Sequence, residues 1–290
     1  MSDPTFSVVS TAKNEKDKKF LDKTFENWEP TKQLFEEKLG KRIEFIVVDA
    51  GGNAEFPKIE GKIIDPEAYD EYRKALYKSK VIEYSWWDSP SIGRNLGFKH
   101  AKGKIVVFQD IDSLFSTGTE RDYRYVLKLD VYRNYFEVMY DAFKRKNIVG
   151  AAPSIRPMDS KSLGRRFGTM GLNYTVWLST KLPTVKIKDM PIIGPSVAGC
   201  SFAVLRDVAS DLWNDGLYDP RLAIAEDHKF SREVGRYGKI SYEKRAGVFI
   251  RTSRVSSRFD ILKSLGYAFK WAPRYLFPDF WQYQKHDLSI

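Results

Sequence analysis

Ile105-Val106-Val107-Phe108-Gln109-Asp110-Ile111-Asp112 is the stretch on which the reading of this chain turns. Its first four residues are apolar without alternation, the pattern of a strand buried on both faces. It then runs directly into two carboxylates one residue apart. Acids at the end of a buried strand are costly to hold unless something positive lies close, and a divalent cation answers that need. Read as extended backbone, the segment points Asp110 and Asp112 the same way, so both can address one ion or one bound nucleotide. Hard oxygen ligands suit Mg2+ or Mn2+, which keep waters and take further ligands from phosphate oxygens. An isolated Asp-x-Asp is also common as a solvated turn, so the surrounding sequence has to decide.

Working outward, short β-branched and aromatic runs alternate with helical patterns, which predicts stacked βαβ units around a mainly parallel sheet. Upstream, Phe6-Ser7-Val8-Val9-Ser10 is a first strand, and a helix with Phe20, Leu21, Phe25 and Trp28 on one face follows until Pro30 interrupts it. Ile43 to Val48 is a second strand, ending at Asp49-Ala50-Gly51-Gly52, where glycines allow a tight turn at the edge where open α/β sheets bind ligands. Residues 54 to 80 read as an irregular insertion containing a helix-like stretch from Glu67 to Lys78. Val81-Ile82-Glu83-Tyr84 is expected as the third strand, and Ser91 as the cap of a helix running through Ala101 and ended by Gly103.

Downstream, Tyr125 to Lys146 reads as a helix and Ile148 to Ala152 as a strand. Residues 153 to 195 are punctuated by Gly and Pro, which suggests a long mobile loop over a site. Val197 to Val204 is a further strand, and Glu226 to Tyr237 a helix closed by Gly238.

Composition narrows the chemistry. The 290 residues are 42% hydrophobic, enough for a full core. Lys and Arg number 48 against 38 Asp and Glu, and the pI of about 9.4 favours anionic partners. Cys200 is the single cysteine, so an intrachain disulfide and a cysteine-built zinc site are excluded. His100, His228 and His286 are too scattered to suggest a histidine-built metal site. No run of about 18 apolar residues exists, and Met1-Ser2-Asp3-Pro4 does not open a secretory leader, so a cytoplasmic protein is expected.

Several of these segments together resemble the family 2 glycosyltransferases, over about residues 5 to 258. Ser10-Thr11-Ala12-Lys13-Asn14-Glu15 is similar to the family's first nucleotide-contacting loop, which implies donor contacts from Thr11, Asn14 and Glu15. Val47-Val48-Asp49-Ala50-Gly51-Gly52 resembles its second strand, whose terminal acid, here Asp49, touches base or ribose; Asp49 could equally cap the turn before Gly51. Ile92-Gly93-Arg94-Asn95-Leu96-Gly97 matches the helix with an Arg-Asn pair near the nucleotide, although Arg94 could also pair with an acid. Ile105 to Asp112 then resembles the strand leading into the metal-binding Asp-x-Asp. Ala198-Gly199-Cys200-Ser201-Phe202 is similar to the small-residue strand under the acceptor. Gly216-Leu217-Tyr218-Asp219-Pro220 followed by Ala225-Glu226-Asp227-His228 resembles the turn and the Glu-Asp pair at a helix start.

The resemblance implies a GT-A fold: a Rossmann-like α/β domain with a mixed, mainly parallel central sheet flanked by helices. The domain would span residues 1–255, with a nucleotide-binding half to about 112 and an acceptor-binding half beyond it, and residues 256–290 would form an aromatic and basic extension. It also implies an inverting transfer from a UDP-type or GDP-type sugar to an acceptor hydroxyl on a glycan, a lipid-linked carrier or a protein. Asp227 would be the general base with Glu226 as its neighbour, or the reverse. Asp112 would hold Mn2+ or Mg2+, and Asp110 would assist at ribose or at a metal-bound water. Where many relatives carry a further histidine, Phe249 to Arg258 stands instead, which implies that Arg254 or Arg258 holds phosphate.

Residues 245 to 274 hold seven basic side chains and one acid, interleaved with Phe259, Leu262, Tyr267, Phe269 and Trp271. That mixture suits either peripheral contact with the inner face of an anionic membrane or an arm packed on the domain; no nucleic acid is expected as a partner. A sugar-phosphate nucleotidyltransferase and a catalytically silent GT-A scaffold that binds polyanions or membrane are the competing readings.

Overall fold

The computed structural model describes residues 3–12, 18–51, 61–82, 89–118, 132–158, 163–183, 185–187, 190–197, 199–213, 217–220 and 226–250. The chain opens with β1 (Phe6–Ala12), α1 (Lys18–Leu39), β2 (Ile43–Asp49), β3 (Gly61–Ile64), α2 (Pro66–Lys78) and α3 (Pro90–His100). Next come β4 (Ile105–Gln109), β5 (Ser113–Phe115), α4 (Tyr135–Phe143), β6 (Ile148–Pro157) and α5 (Leu163–Ser179). β7 (Val185–Ile187), β8 (Met190–Ile193), β9 (Ser201–Leu205), α6 (Arg206–Asp211), α7 (Glu226–Val234) and β10 (Lys239–Ile250) complete it. The main sheet has the order β3-β2-β1-β4-β9-β6-β10-β5, and β7 pairs with β8 apart from it.

β1 lies parallel between β2 and β4, whereas β9 and β5 run against their neighbours. The sheet is therefore mixed and mainly parallel, as expected. Its order reverses on either side of β1, so the carboxyl ends of β1 and β4 open the crevice in which such sheets take ligands.

Two apolar layers cover the sheet. On one face Phe25, Trp28 and Phe35 of α1 pack with Phe136 and Met139 of α4; on the other Ile92, Leu96 and Phe98 of α3 pack with Phe230 and Val234 of α7. Helix α3 lies very close to β1. A Cβ at Gly97 would come within 2.3 Å of Val9 Cγ1, and one at Gly93 within 2.4 Å of Thr11, so two glycines let this helix reach the sheet.

Several local expectations change. Among the described residues the helix expected from Tyr125 to Lys146 runs only from Tyr135 to Phe143, after the Asn134 cap, and the strand expected from Val197 is Ser201–Leu205. Helix α1 continues through Pro30 instead of stopping there. Pro30 faces solvent, and the buried rings of Trp28 and Phe35 on either side of it, each contributing about 1.5–3 kcal/mol, offset the roughly 3 kcal/mol that an internal proline costs. The third strand is Gly61–Ile64, not Val81–Tyr84: Val81 and Ile82 lie in a bend, and Glu83 and Tyr84 fall outside the described residues. The cap of α3 is Ser89, whose Oγ accepts the Ser91 N–H at 3.2 Å, with Pro90 as first helical residue. Residues 153–195 are not one loop, for they include the end of β6, the whole of α5 and the β7–β8 hairpin.

Candidate active site

The acids meet because their anchors pack. On β4, Phe108 and Asp110 are two residues apart, and on α7, Glu226 and Phe230 are four apart, so each acid shares a side with an aromatic ring. Phe108 meets Phe230 edge-on at 5.7 Å between centroids and Tyr218 at 5.0 Å. Phe202 of β9 closes the same cluster against Phe230 at 5.8 Å. An apolar floor thus brings the end of β4 to the start of α7.

Arg94 of α3 joins the two acids above that floor. Its Nη1 donates to Glu226 Oε1 at 2.8 Å, and its Nη2 donates to Asp110 Oδ1 at 2.8 Å and to the Gly199 carbonyl at 3.2 Å. The guanidinium also lies 5.1 Å from the Tyr218 ring centroid. The Arg94 side chain is 6% exposed and Glu226 10%, whereas Asp110 is 42% exposed; the Glu226 pair is buried and the Asp110 pair opens to solvent. Burial works against the Arg94 charge, but Asp110, Glu226 and Asp227 outweigh it and hold the guanidinium firmly protonated.

Asp227 sits at the same place. A Cβ on Gly199 would lie 2.9 Å from Asp227 Oδ2 and 3.3 Å from Arg94 Nη2, so the glycine gives both groups their room. Asp227 Oδ1 accepts the His228 backbone N–H at 2.8 Å. Glu226 and Asp227 both lie in the first turn of α7, where the helix dipole favours negative charge. Burial and the neighbouring Asp227 carboxylate nevertheless push the Glu226 carboxyl up to about 7, against the opposing pull of Arg94. A carboxyl poised there can hold or release a proton near neutrality.

Asn95, the neighbour of Arg94, does for the backbone what Arg94 does for the side chains. Its amide donates to the Tyr218 carbonyl at 2.7 Å and accepts the Tyr218 N–H at 2.9 Å. Helix α3 therefore clamps the turn before α7 and the first turn of α7 itself.

Residues 7–120, which include Arg94 and Asp110 of this rim, match the sequence model of glycosyl transferase family 2. The family match is confined to that stretch. The sheet is the GT-A fold. Among solved structures, S. aureus TarS residues 1–349 in complex with UDP is similar at 14% identity and a TM-score of 0.50, covering 89% of this chain and 62% of that one. The chain thus spans less than two thirds of the length of the TarS fragment. Glucosyl-3-phosphoglycerate synthase from Mycobacterium tuberculosis, in complex with phosphoglyceric acid, is similar at 14% identity and a TM-score of 0.46, covering 95% of this chain and 79% of that one. No curated protein matches the chain.

The remaining residues singled out by the sequence are distributed as follows. Thr11 ends β1 against α3, its Oγ buried and without a partner among the described residues. Asp49 ends β2, buried, and its Oδ1 accepts the Gly51 N–H at 2.9 Å, so it caps that turn. Asn14, Glu15, Arg254 and Arg258, and with them the aromatic and basic extension, lie outside the described residues. Asp112 is half-buried beside Ile111 in a tight turn closed by the Ser113 N–H on the Asp110 carbonyl at 3.0 Å. The backbone there is not extended, so strand alternation does not aim Asp110 and Asp112 alike.

Among the described residues, no three His, Cys, Asp or Glu side chains gather closely enough to cage a metal. Two carboxylates beside a diphosphate are still a donor set that Mg2+ accepts, since it commonly binds through one or two carboxylates plus substrate phosphates and water. The residues fit an ion carried with its nucleotide, not a dedicated cage. The sequence put Asn95 in an Arg-Asn pair and Tyr218 in the turn before the Glu-Asp pair, but not the bonds between them. The signal was present: two polar residues inside the otherwise small and apolar helical run Ser91 to Phe98 must find partners when that run is buried.

Proposed function

We propose that the chain transfers a sugar from a nucleotide-diphosphate sugar to an acceptor hydroxyl with inversion at the anomeric carbon, Asp227 serving as general base. What supports this reading above all is the Arg94 bridge, which ties Asp110 at the end of β4 to Glu226 beside Asp227 on α7. The donor would lie over the carboxyl ends of β1, β2 and β4, near Thr11 and Asp49. The acceptor would come from the side of Gly199 and α7. As the acceptor oxygen attacks C1, its proton passes to Asp227, the bond from C1 to the phosphate oxygen breaks, and the nucleoside diphosphate departs from the opposite face.

Glu226 is the neighbour of the base. Its hydrogen bond to Arg94 keeps it in place, while burial and the Asp227 carboxylate raise its proton affinity. Asp112, with Asp110 alongside, would hold Mg2+ or Mn2+, which when bound supplies positive charge to the leaving diphosphate. UDP-sugars are the first donors to test, given UDP in the similar TarS structure, and GDP-sugars the second. A cytoplasmic site of action accords with this donor choice.

The test is release of nucleoside diphosphate, and of glycosylated product, from a panel of activated sugars. A positioned base contributes roughly 10²–10⁴ in rate, so Asp227→Asn should lose about that factor in kcat while still binding the nucleotide. Normal turnover by the variant would remove Asp227 as base. Formation of a nucleotide sugar from sugar phosphate and nucleoside triphosphate would replace the reading with a nucleotidyltransferase.

A further inference from the structure

Helix α5 presents an apolar face that the catalytic rim does not use. Met170, Tyr174, Trp177 and Leu178 recur at the spacing of one helical side, and Leu182 continues the stripe just beyond the helix. All five are at least two fifths exposed, and Tyr174 reaches 61%. The Tyr174 and Trp177 rings lie together, 5.6 Å between centroids. The other side of the helix is fastened to the domain: Asn173 exchanges two hydrogen bonds of 2.7 Å with the Ile155 backbone of β6, and Val176 and Ser179 are buried. The exposed stripe is therefore held outward by a firmly docked helix. Large exposed apolar side chains in a contiguous set on one face mark a contact surface.

Charge identifies the occupant. Between Ser160 and Lys188 the chain carries Lys161, Arg165, Arg166, Lys181, Lys186 and Lys188, and no Asp or Glu at all. A second copy would set this basic segment against itself. The segment from Arg251 to Ile290, the other occupant within reach of the chain, has seven basic and three acidic residues, so it would meet the same repulsion. An anionic bilayer has the complementary charge, and a stripe of Tyr, Trp, Leu and Met with basic residues in the same stretch is the combination that partitions into the headgroup boundary.

We propose that α5 is a docking face for an anionic lipid bilayer, with Tyr174, Trp177 and Leu178 entering the interface and Lys181 at its rim. The helix is coupled to the catalytic rim by short links. Ser179 Oγ donates to the Ser196 carbonyl at 2.9 Å and accepts the Ser196 N–H at 3.0 Å; Ser196 Oγ in turn bonds the His228 ring, next to Asp227. The buried side of α5 is thus tied to α7, while the exposed stripe faces away from that contact. Delivery of a bilayer-borne acceptor would rest on the transferase reading; the docking itself does not.

The experiment is co-sedimentation of the full chain with vesicles of phosphatidylcholine alone and of phosphatidylcholine mixed with phosphatidylglycerol. The expected result is binding to the mixed vesicles, weakened by added salt, with little binding to the neutral ones. Trp177→Gln with Leu178→Gln should weaken binding by about tenfold or more, since each side chain loses its burial. Lys181→Glu should weaken it by about fivefold or more through lost attraction. Circular dichroism checks the fold, and Tyr174→Ser, at the most exposed position, gives the same readout if the double variant fails to fold. Equal sedimentation of wild type and variants, or no binding of wild type to anionic vesicles, overturns the proposal. So does light scattering that finds a dimer in the wild type and a monomer in the double variant. None of these outcomes depends on turnover, so failure of docking and failure of the transferase reading are separately visible.

Discussion

Replacing Arg94 by alanine would leave Glu226 buried without its cation and release Asp110 from its partner. Breaking such a pair typically costs about 3–5 kcal/mol; the lower end is expected because Glu226 can take up a proton, and urea unfolding of Arg94→Ala measures it. Lysine would not substitute, because one ammonium lacks the planar fork that addresses two acids and a carbonyl together. Glu226 also predicts a pH dependence. In the fold its carboxyl keeps its proton up to about 7, against an ordinary value of 4.5. Its contribution to stability is therefore fully present below the ordinary value and is lost as pH rises through 7. Turnover should run the other way, with a rising limb in kcat/KM near neutrality as the Glu226 carboxyl loses its proton; Glu226→Gln should remove that limb, since the amide does not ionise. The acids themselves were legible in the sequence, as a pair after a buried strand and a pair at a helix start. That Arg94 joins one pair to the other was not, because residue types and spacing carry no information on contacts between positions 132 residues apart.

At the scale of elements, the first half reads well from sequence because its strands are continuous apolar runs. β1, β2 and β4 fall close to where hydrophobicity places them. β3 escaped notice because Gly61, Lys62 and Ile63 are exposed on an edge strand, so the buried pattern that announces a strand is absent. α5 escaped because its glycines Gly164, Gly168 and Gly171 and a stripe of outward apolar residues blur the helical period. Its attachment to β6 gives a prediction. Asn173→Ala would leave the Ile155 N–H and carbonyl without the two bonds the amide supplies, at a cost of about 1–3 kcal/mol, seen as a lowered denaturation midpoint and faster proteolysis around α5. A substitution that removes Pro30 should leave the extent of α1 unchanged by hydrogen exchange, since tertiary burial of Trp28 and Phe35, not local propensity, carries the helix past it.

At the scale of the whole molecule, Arg94 and Asn95 of α3 join the end of β4 to Tyr218 and α7, so a nucleotide bound at this rim should stabilise the elements on both sides. A nucleotide at about 100 times its Kd adds roughly 2.7 kcal/mol. UDP with Mn2+ should therefore raise Tm in a single cooperative transition, and chelation should remove part of the shift. A rise in only one of two transitions would show that the halves unfold independently. Among the described residues no helix is long and apolar enough to cross a membrane, so contact with lipid would be peripheral. The sequence by itself determined the class of fold and the positions of the two acid pairs, because hydrophobic periodicity and short motifs at strand ends are local properties that the chain displays without folding. Only the tertiary structure decided which side chains share the site. That choice depends on an apolar floor of Phe108, Phe202, Tyr218 and Phe230 that forms when β4, β9 and α7 pack, and on one buried guanidinium whose charge requires acids from both halves.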